Sequence, residues 1–249
     1  MQTPGIGQMI VQRIRARETP PNWSLLLALF FILAFVILWI AGQFIAATLS
    51  GDFNSTLAVG ALIGCVIVSA VIVHWARRRM PDHWIEELRL RQPKRPPVYA
   101  VVLVGLGAAW AIDLIGVLLK IQGTQVVPPV VDVLRGPVNG TWIVAAILAI
   151  FAQPIAEGLI FCGLLYPALA RDLGNNLLAC IGVAVVYTLV SAAILSTGAE
   201  PWYLLVQPFL MLLVVALVRM YTQSTQSAIV ARTLFGLFFV LAALLSLRF

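Results

Sequence analysis

The chain has 249 residues, 61% of them hydrophobic and 10% charged, with a net charge of +6 and a mean hydropathy of +1.00. Soluble domains carry about 25% charged residues, so a water-soluble enzyme or binding module is excluded. The length instead accommodates about six to eight membrane spans of roughly 20 residues each. Apolar runs such as 25–35 exclude a β-barrel, whose strands alternate polar and apolar residues, and the scattered basic residues exclude a nucleic-acid surface.

Residues 1–23 read as a basic cytoplasmic segment, and residues 24–249 as a single transmembrane domain. Arg13, Arg15 and Arg17 precede Pro20 and Pro21 and then an apolar stretch too long for a signal-peptide core. Residues 9–17 are basic and weakly amphipathic. They suit either an anionic membrane surface or a tail of positive-inside charges.

Seven spans are predicted, over about 24–49, 55–76, 98–121, 141–170, 176–195, 202–220 and 226–247. With the N-terminus inside, the inner segments hold twelve Lys and Arg residues, and the outer segments hold only Lys120, Arg135 and Arg248. This asymmetry predicts a cytoplasmic N-terminus and an outside C-terminus. In the polar loop 77–97, residues 81–91 suit a short interfacial helix with Trp84, Ile85 and Leu88 toward lipid. The outer loop 122–140, with Pro128-Pro129 and Gly136-Pro137, reads as too irregular to cross the bilayer, and suits either a cap on the outer face or a dip against protein.

Cys65, Cys162 and Cys180 lie in apolar runs without a CxxC pair, and read as packing residues. Gly60 and Gly64 form a GxxxG that permits close helix approach within the chain. Asp113, deep in the third span, reads as a relay or cation site, or more simply as a partner of Arg232 or of hydroxyl groups. His74, beside Trp75 near the end of the second span, suits the headgroup region better than a metal. With His83 the only other histidine, a zinc site is hard to assemble, and no metal is expected. Glu157 and Arg232 stand inside apolar runs of two different spans. Ionisable groups at that depth mark a functional site or an ion pair.

The stretch Pro154-Ile-Ala-Glu157-Gly158-Leu-Ile-Phe161-Cys162-Gly163 resembles the first signature of the CPBP family, the CAAX-prenyl-protease and bacteriocin-processing type of intramembrane peptidase. That signature is a proline, then Glu-Glu-x-x-x-Arg, with an aromatic before the arginine and a glycine after it. Glu157 matches the first glutamate, whereas Gly158 and Cys162 stand for the second glutamate and the arginine. Tyr187-Thr-Leu-Val-Ser191 is similar to the family's Phe-x-x-x-His element, with Ser191 in place of the histidine. Ser224 and the residues up to Gly236 resemble its last element, with Arg232 and Gly236 in place of a histidine and an asparagine. The resemblance covers about residues 141–247 and implies a CPBP-like helical bundle.

In the family, the resemblance implies, a glutamate activates water while histidines and an asparagine stabilise the oxyanion or bind metal. Here serine cannot carry protons near neutral pH. Arginine stays protonated and would pair with Glu157, weakening it as a base. Five of the six chemistry-bearing positions depart from the pattern. The expectation is therefore an all-α, polytopic, catalytically inactive protein with no cofactor, in which Glu157 and Arg232 form a structural ion pair. It would serve as an accessory or scaffolding subunit among other integral membrane proteins, in the lipid bilayer of a bacterial cytoplasmic membrane. The alternative is a divergent peptidase using Glu157 with Ser191 and Arg232 in altered roles.

Overall fold

The computed structural model describes residues 18–50, 53–91, 98–118, 128–195 and 202–246. Residues 9–17, for which membrane-surface binding was considered, lie outside the described residues. Seven helical segments are long and apolar enough to cross a membrane. They comprise α1 (Leu25–Ser50), α2 (Phe53–Arg79), α4 (Val98–Leu118), the compound fourth span Gly140–Leu173, α9 (Asn176–Leu195), α10 (Trp202–Thr222) and α11 (Thr225–Ser246). Between α2 and α4 lies the short α3 (Trp84–Glu87), and before the fourth span lies α5 (Pro128–Arg135). The protein is an all-α, polytopic membrane protein.

Small residues set a backbone-to-backbone helix contact. A Cβ on Gly60 would stand 2.2 Å from the carbonyl oxygen of Gly42, so α1 and α2 touch backbone to backbone. Gly64 meets Leu38 in the same way, with its carbonyl oxygen 2.9 Å from a Cβ built there. The GxxxG is thus used inside the chain.

The fourth span is a chain of short pieces: α6 (Gly140–Ile147), a π segment (Leu148–Ala152), α7 (Gln153–Glu157), a second π segment (Gly158–Leu165) and α8 (Tyr166–Leu173). Each π segment runs up to a proline, Pro154 and Pro167. A proline has no N–H to donate, and its ring clashes with the carbonyl four residues earlier. Widening the preceding turns relieves that clash and leaves Glu157 between two wide segments. Asn139 caps α6 by accepting from the Trp142 N–H at 2.9 Å.

In the outer loop 122–140, Pro128 and Pro129 open the eight-residue helix α5, as prolines do in a first helical turn, and at that length it does not cross a bilayer. Val130 and Leu134 bury it against the bundle, and the Leu134 carbonyl accepts the Trp142 indole N–H at 3.1 Å. In the 81–91 loop, Leu88 does not face lipid: it is fully buried. Only Ile85 is well exposed, and Trp84 lies under the guanidinium of Arg77, 4.8 Å from ring centre to Cζ.

Candidate functional site

Glu157 ends α7 in the middle of the fourth span and is 2% exposed. Its Oε2 accepts from Arg232 Nε of α11 at 2.6 Å. Its Oε1 accepts from Gln153 Nε2, one turn earlier, at 2.7 Å and from the Tyr187 hydroxyl of α9 at 3.0 Å. Phe161 meets the Tyr187 ring edge to face, with centroids 5.1 Å apart, and so fixes the hydroxyl over the carboxylate. Three donors from three spans thus converge on one buried carboxylate. Arg232 Nη2 and Gln153 Oε1 are buried with no hydrogen-bond partner among the described residues.

Residues 139–238 match the family described as Rce1-like, "Type II CAAX prenyl endopeptidase Rce1-like". The match supports membership of the CPBP family. No curated protein and no solved structure matches it. The matched segment contains Glu157, Gly158, Cys162, Ser191, Arg232 and Gly236, and it contains the whole carboxylate cluster.

Where the chain lacks the polar side chains of the CPBP pattern, the helices have closed. A Cβ on Gly158 would lie 2.3 Å from Cγ1 of Ile229, a branched side chain with little freedom to yield. A Cβ on Gly236 would lie 2.0 Å from the carbonyl oxygen of Ala149, in the first π segment. Glutamate and asparagine therefore have no room at these two positions without separating helices. Cys162 is fully buried in the apolar core. Ser191 is half-buried one turn beyond Tyr187, and among the described residues it makes no hydrogen bond to the cluster.

A general base needs a lone pair that a water or substrate proton can reach. Both oxygens of Glu157 are engaged by protein donors instead. Nor do these residues fit the metal role that the resemblance implied for the family. Arginine is no metal ligand, glycine has no side chain, and among the described residues no group of three His, Cys, Asp or Glu could hold an ion.

Asp113 is half-buried on α4 and makes no hydrogen bond or ion pair among the described residues, so neither Arg232 nor a hydroxyl is its partner there. His74 is exposed near the end of α2, while its neighbour Trp75 packs edge-on against Trp23 and Phe31 at 6.0 and 5.5 Å.

Two further cluster members went unnoticed in the sequence. Gln153 stands one helical turn before Glu157, a spacing at which polar side chains meet. Tyr187 was quoted only as the aromatic of an element whose interest lay in Ser191. Its signal was a phenol in an apolar run, which needs a partner when buried.

A second buried pair closes one end of the bundle. Arg219 Nη2 of α10 binds Glu18 Oε1 at 2.8 Å, with the arginine side chain 0% and the glutamate side chain 3% exposed. Arg219 also lies over the Tyr166 ring, 5.1 Å from its centre. Residues 18–23 are strapped down beside it. The Trp23 indole donates to the Leu164 carbonyl at 3.0 Å, Arg171 donates to the Trp23 carbonyl at 2.9 Å, and Arg89 reaches Thr19. The 80–91 loop joins the same end through Ser224 Oγ, which donates to the Arg91 carbonyl at 2.8 Å. A cavity of about 300 Å³ opens there, lined by Glu18, His83, Glu86, Arg89 and Arg219, on different residues from the Glu157 cluster.

Proposed function

We propose that this CPBP-type membrane protein is catalytically inactive and acts as an accessory or scaffolding subunit of a larger membrane complex. The observation that carries the reading is the state of Glu157. The one acid kept from the peptidase frame is engaged on both oxygens by Arg232, Gln153 and Tyr187, deep in the membrane domain. The closed contacts at Gly158 and Gly236 add to it, because a peptidase needs a cavity where water, carbonyl and carboxylate meet. Without chemistry, a chain that is mostly membrane spans has its helical surface to offer, and other membrane helices are the natural partners.

The cytoplasmic end is assigned to the face where residues 18–23, the 80–91 loop, Arg171 and Arg219 meet. The twelve-to-three distribution of basic residues supports that orientation, in a bacterial cytoplasmic membrane.

The test is paired. Purified protein reconstituted in lipid is expected to cleave neither prenylated nor transmembrane peptides, and native extraction is expected to yield it in stoichiometric complex with other membrane proteins. Turnover that disappears in Glu157→Gln would overturn the inactive reading in favour of a divergent peptidase. A monomer in mild native extracts would overturn the subunit reading.

A further inference from the structure

Along α4, Leu103, Gly107, Trp110, Leu114 and Val117 recur at helical spacing and form an exposed stripe. Trp110 is 59% exposed, and a Cβ on Gly107 would meet nothing within 4 Å. Asp113 sits at the rim of this stripe, one turn beyond Trp110.

Both polar members are out of place for a helix that faces only lipid. Tryptophan favours the two membrane interfaces. Trp110, however, is the thirteenth residue of α4, about 18 Å along the helix at 1.5 Å per residue. Asp113 is about one turn further, still inside the apolar span. Neither side chain makes a hydrogen bond or ion pair among the described residues. A carboxyl group at membrane depth faces protein or water and finds a partner. The described residues of the bundle do not supply one here.

We propose that this stripe is a docking face for a transmembrane helix of another subunit, and that the partner helix presents a lysine or arginine to Asp113. The proposal rests on the accessory-subunit reading and specifies its contact. Charge complementarity chooses the partner's chemistry, the open space over Gly107 allows close backbone approach, and Trp110 supplies a broad apolar contact. A second copy of this chain does not fit. Among the described residues, the cation in mid-span is Arg232, which is 1% exposed and held by Glu157.

The experiment uses the full chain, purified and reconstituted in phosphatidylcholine vesicles, with a fluorescent Leu/Ala transmembrane peptide as probe. One peptide carries a single lysine at the depth of Asp113, and its control carries leucine there. Energy transfer is expected to show the lysine peptide binding about tenfold more tightly than the control. Asp113→Asn, which preserves size, is expected to abolish the difference, and Asp113→Glu to retain it. Equal binding of the two peptides, or a lysine preference that survives in Asp113→Asn, overturns the docking face. A chain that assembles natively yet shows no preference sinks this contact and leaves the subunit reading standing. A preference without any native complex overturns the subunit reading alone.

Discussion

Loss of either partner of the Glu157–Arg232 pair is expected to have unequal consequences. Replacing Glu157 by leucine leaves a guanidinium 1% exposed, still charged, with no anion and with Nη2 already unpartnered. Stranding a buried charge in this way costs about 3–5 kcal/mol. Replacing Arg232 by methionine is milder. The carboxyl group keeps the Gln153 and Tyr187 donors, at 2.7 and 3.0 Å, and a carboxyl, unlike a guanidinium, has a neutral form to adopt. Its expected cost is about 1–3 kcal/mol, the scale of one lost charge-assisted hydrogen bond. In the double variant no charge is stranded, so the two losses overlap by about 2–3 kcal/mol. Reversible unfolding in mixed lipid–detergent micelles, followed by SDS titration, measures all three. Neutral cross-helix hydrogen bonds in membranes average about 0.6 kcal/mol. A coupling no larger than that, or a greater loss from Arg232→Met than from Glu157→Leu, would refute an ion-paired clasp.

Gly236→Asn, which restores the family's residue type, is expected to destabilise by about 1–3 kcal/mol or more, because its Cβ meets the Ala149 carbonyl at 2.0 Å; the same unfolding assay checks it, and unchanged stability would mean the helices part easily. Glu18→Ala strands Arg219, whose Nε and Nη1 already have no partner among the described residues, and a loss of about 3 kcal/mol is expected; limited proteolysis should then cut the 18–23 strap, whereas wild-type resistance would count against the strap. Single cysteines at Asp82 and Val138, both exposed, are expected to label from opposite sides of the membrane, with the native Cys65, Cys162 and Cys180 buried and so silent; labelling of both from one side would overturn the count of spans between them.

The spans were legible because membrane thickness fixes the length of an apolar run, and a loop of arginines ends it. The helix observed as Phe53–Arg79 runs up to the Arg77-Arg78-Arg79 stop that the sequence displays. What stayed hidden was the interior of the fourth span. Proline signals a disturbed helix, but whether it kinks or widens into π turns depends on the neighbours packed around it. Leu88 was misplaced for a related reason. Its apolar character marks it for burial without saying whether lipid or protein does the burying. At the site, Glu157 and Arg232 draw attention because ionisable groups are rare at that depth. Gln153 and Tyr187 do not, since a neutral polar residue carries little penalty until its surroundings are known. The tight contacts at Gly158 and Gly236 were equally silent. A glycine in sequence shows a missing side chain, and only the opposing helix shows that the space has been taken.

Those two glycines and Arg232 change the meaning of Glu157 together. In a solvated cavity a lone glutamate is a base in waiting. Between closed helices the same carboxylate is a liability that only donors can offset. Packed apolar side chains of similar volume would be about as stable as the pair, so stability alone does not explain what the cluster contributes. Geometry offers a reason. Arg232 of α11, Tyr187 of α9 and Gln153 of the fourth span must all reach one carboxylate, and a slip of any span by one turn, about 5.4 Å, breaks the set. Apolar contacts between membrane helices discriminate registers weakly, because lipid is as good a solvent for leucine as protein is. A buried, charge-assisted cluster discriminates them strongly. Its contribution is to fix the register of three spans, and through α11, which packs against α4, to hold in place the face that carries Asp113.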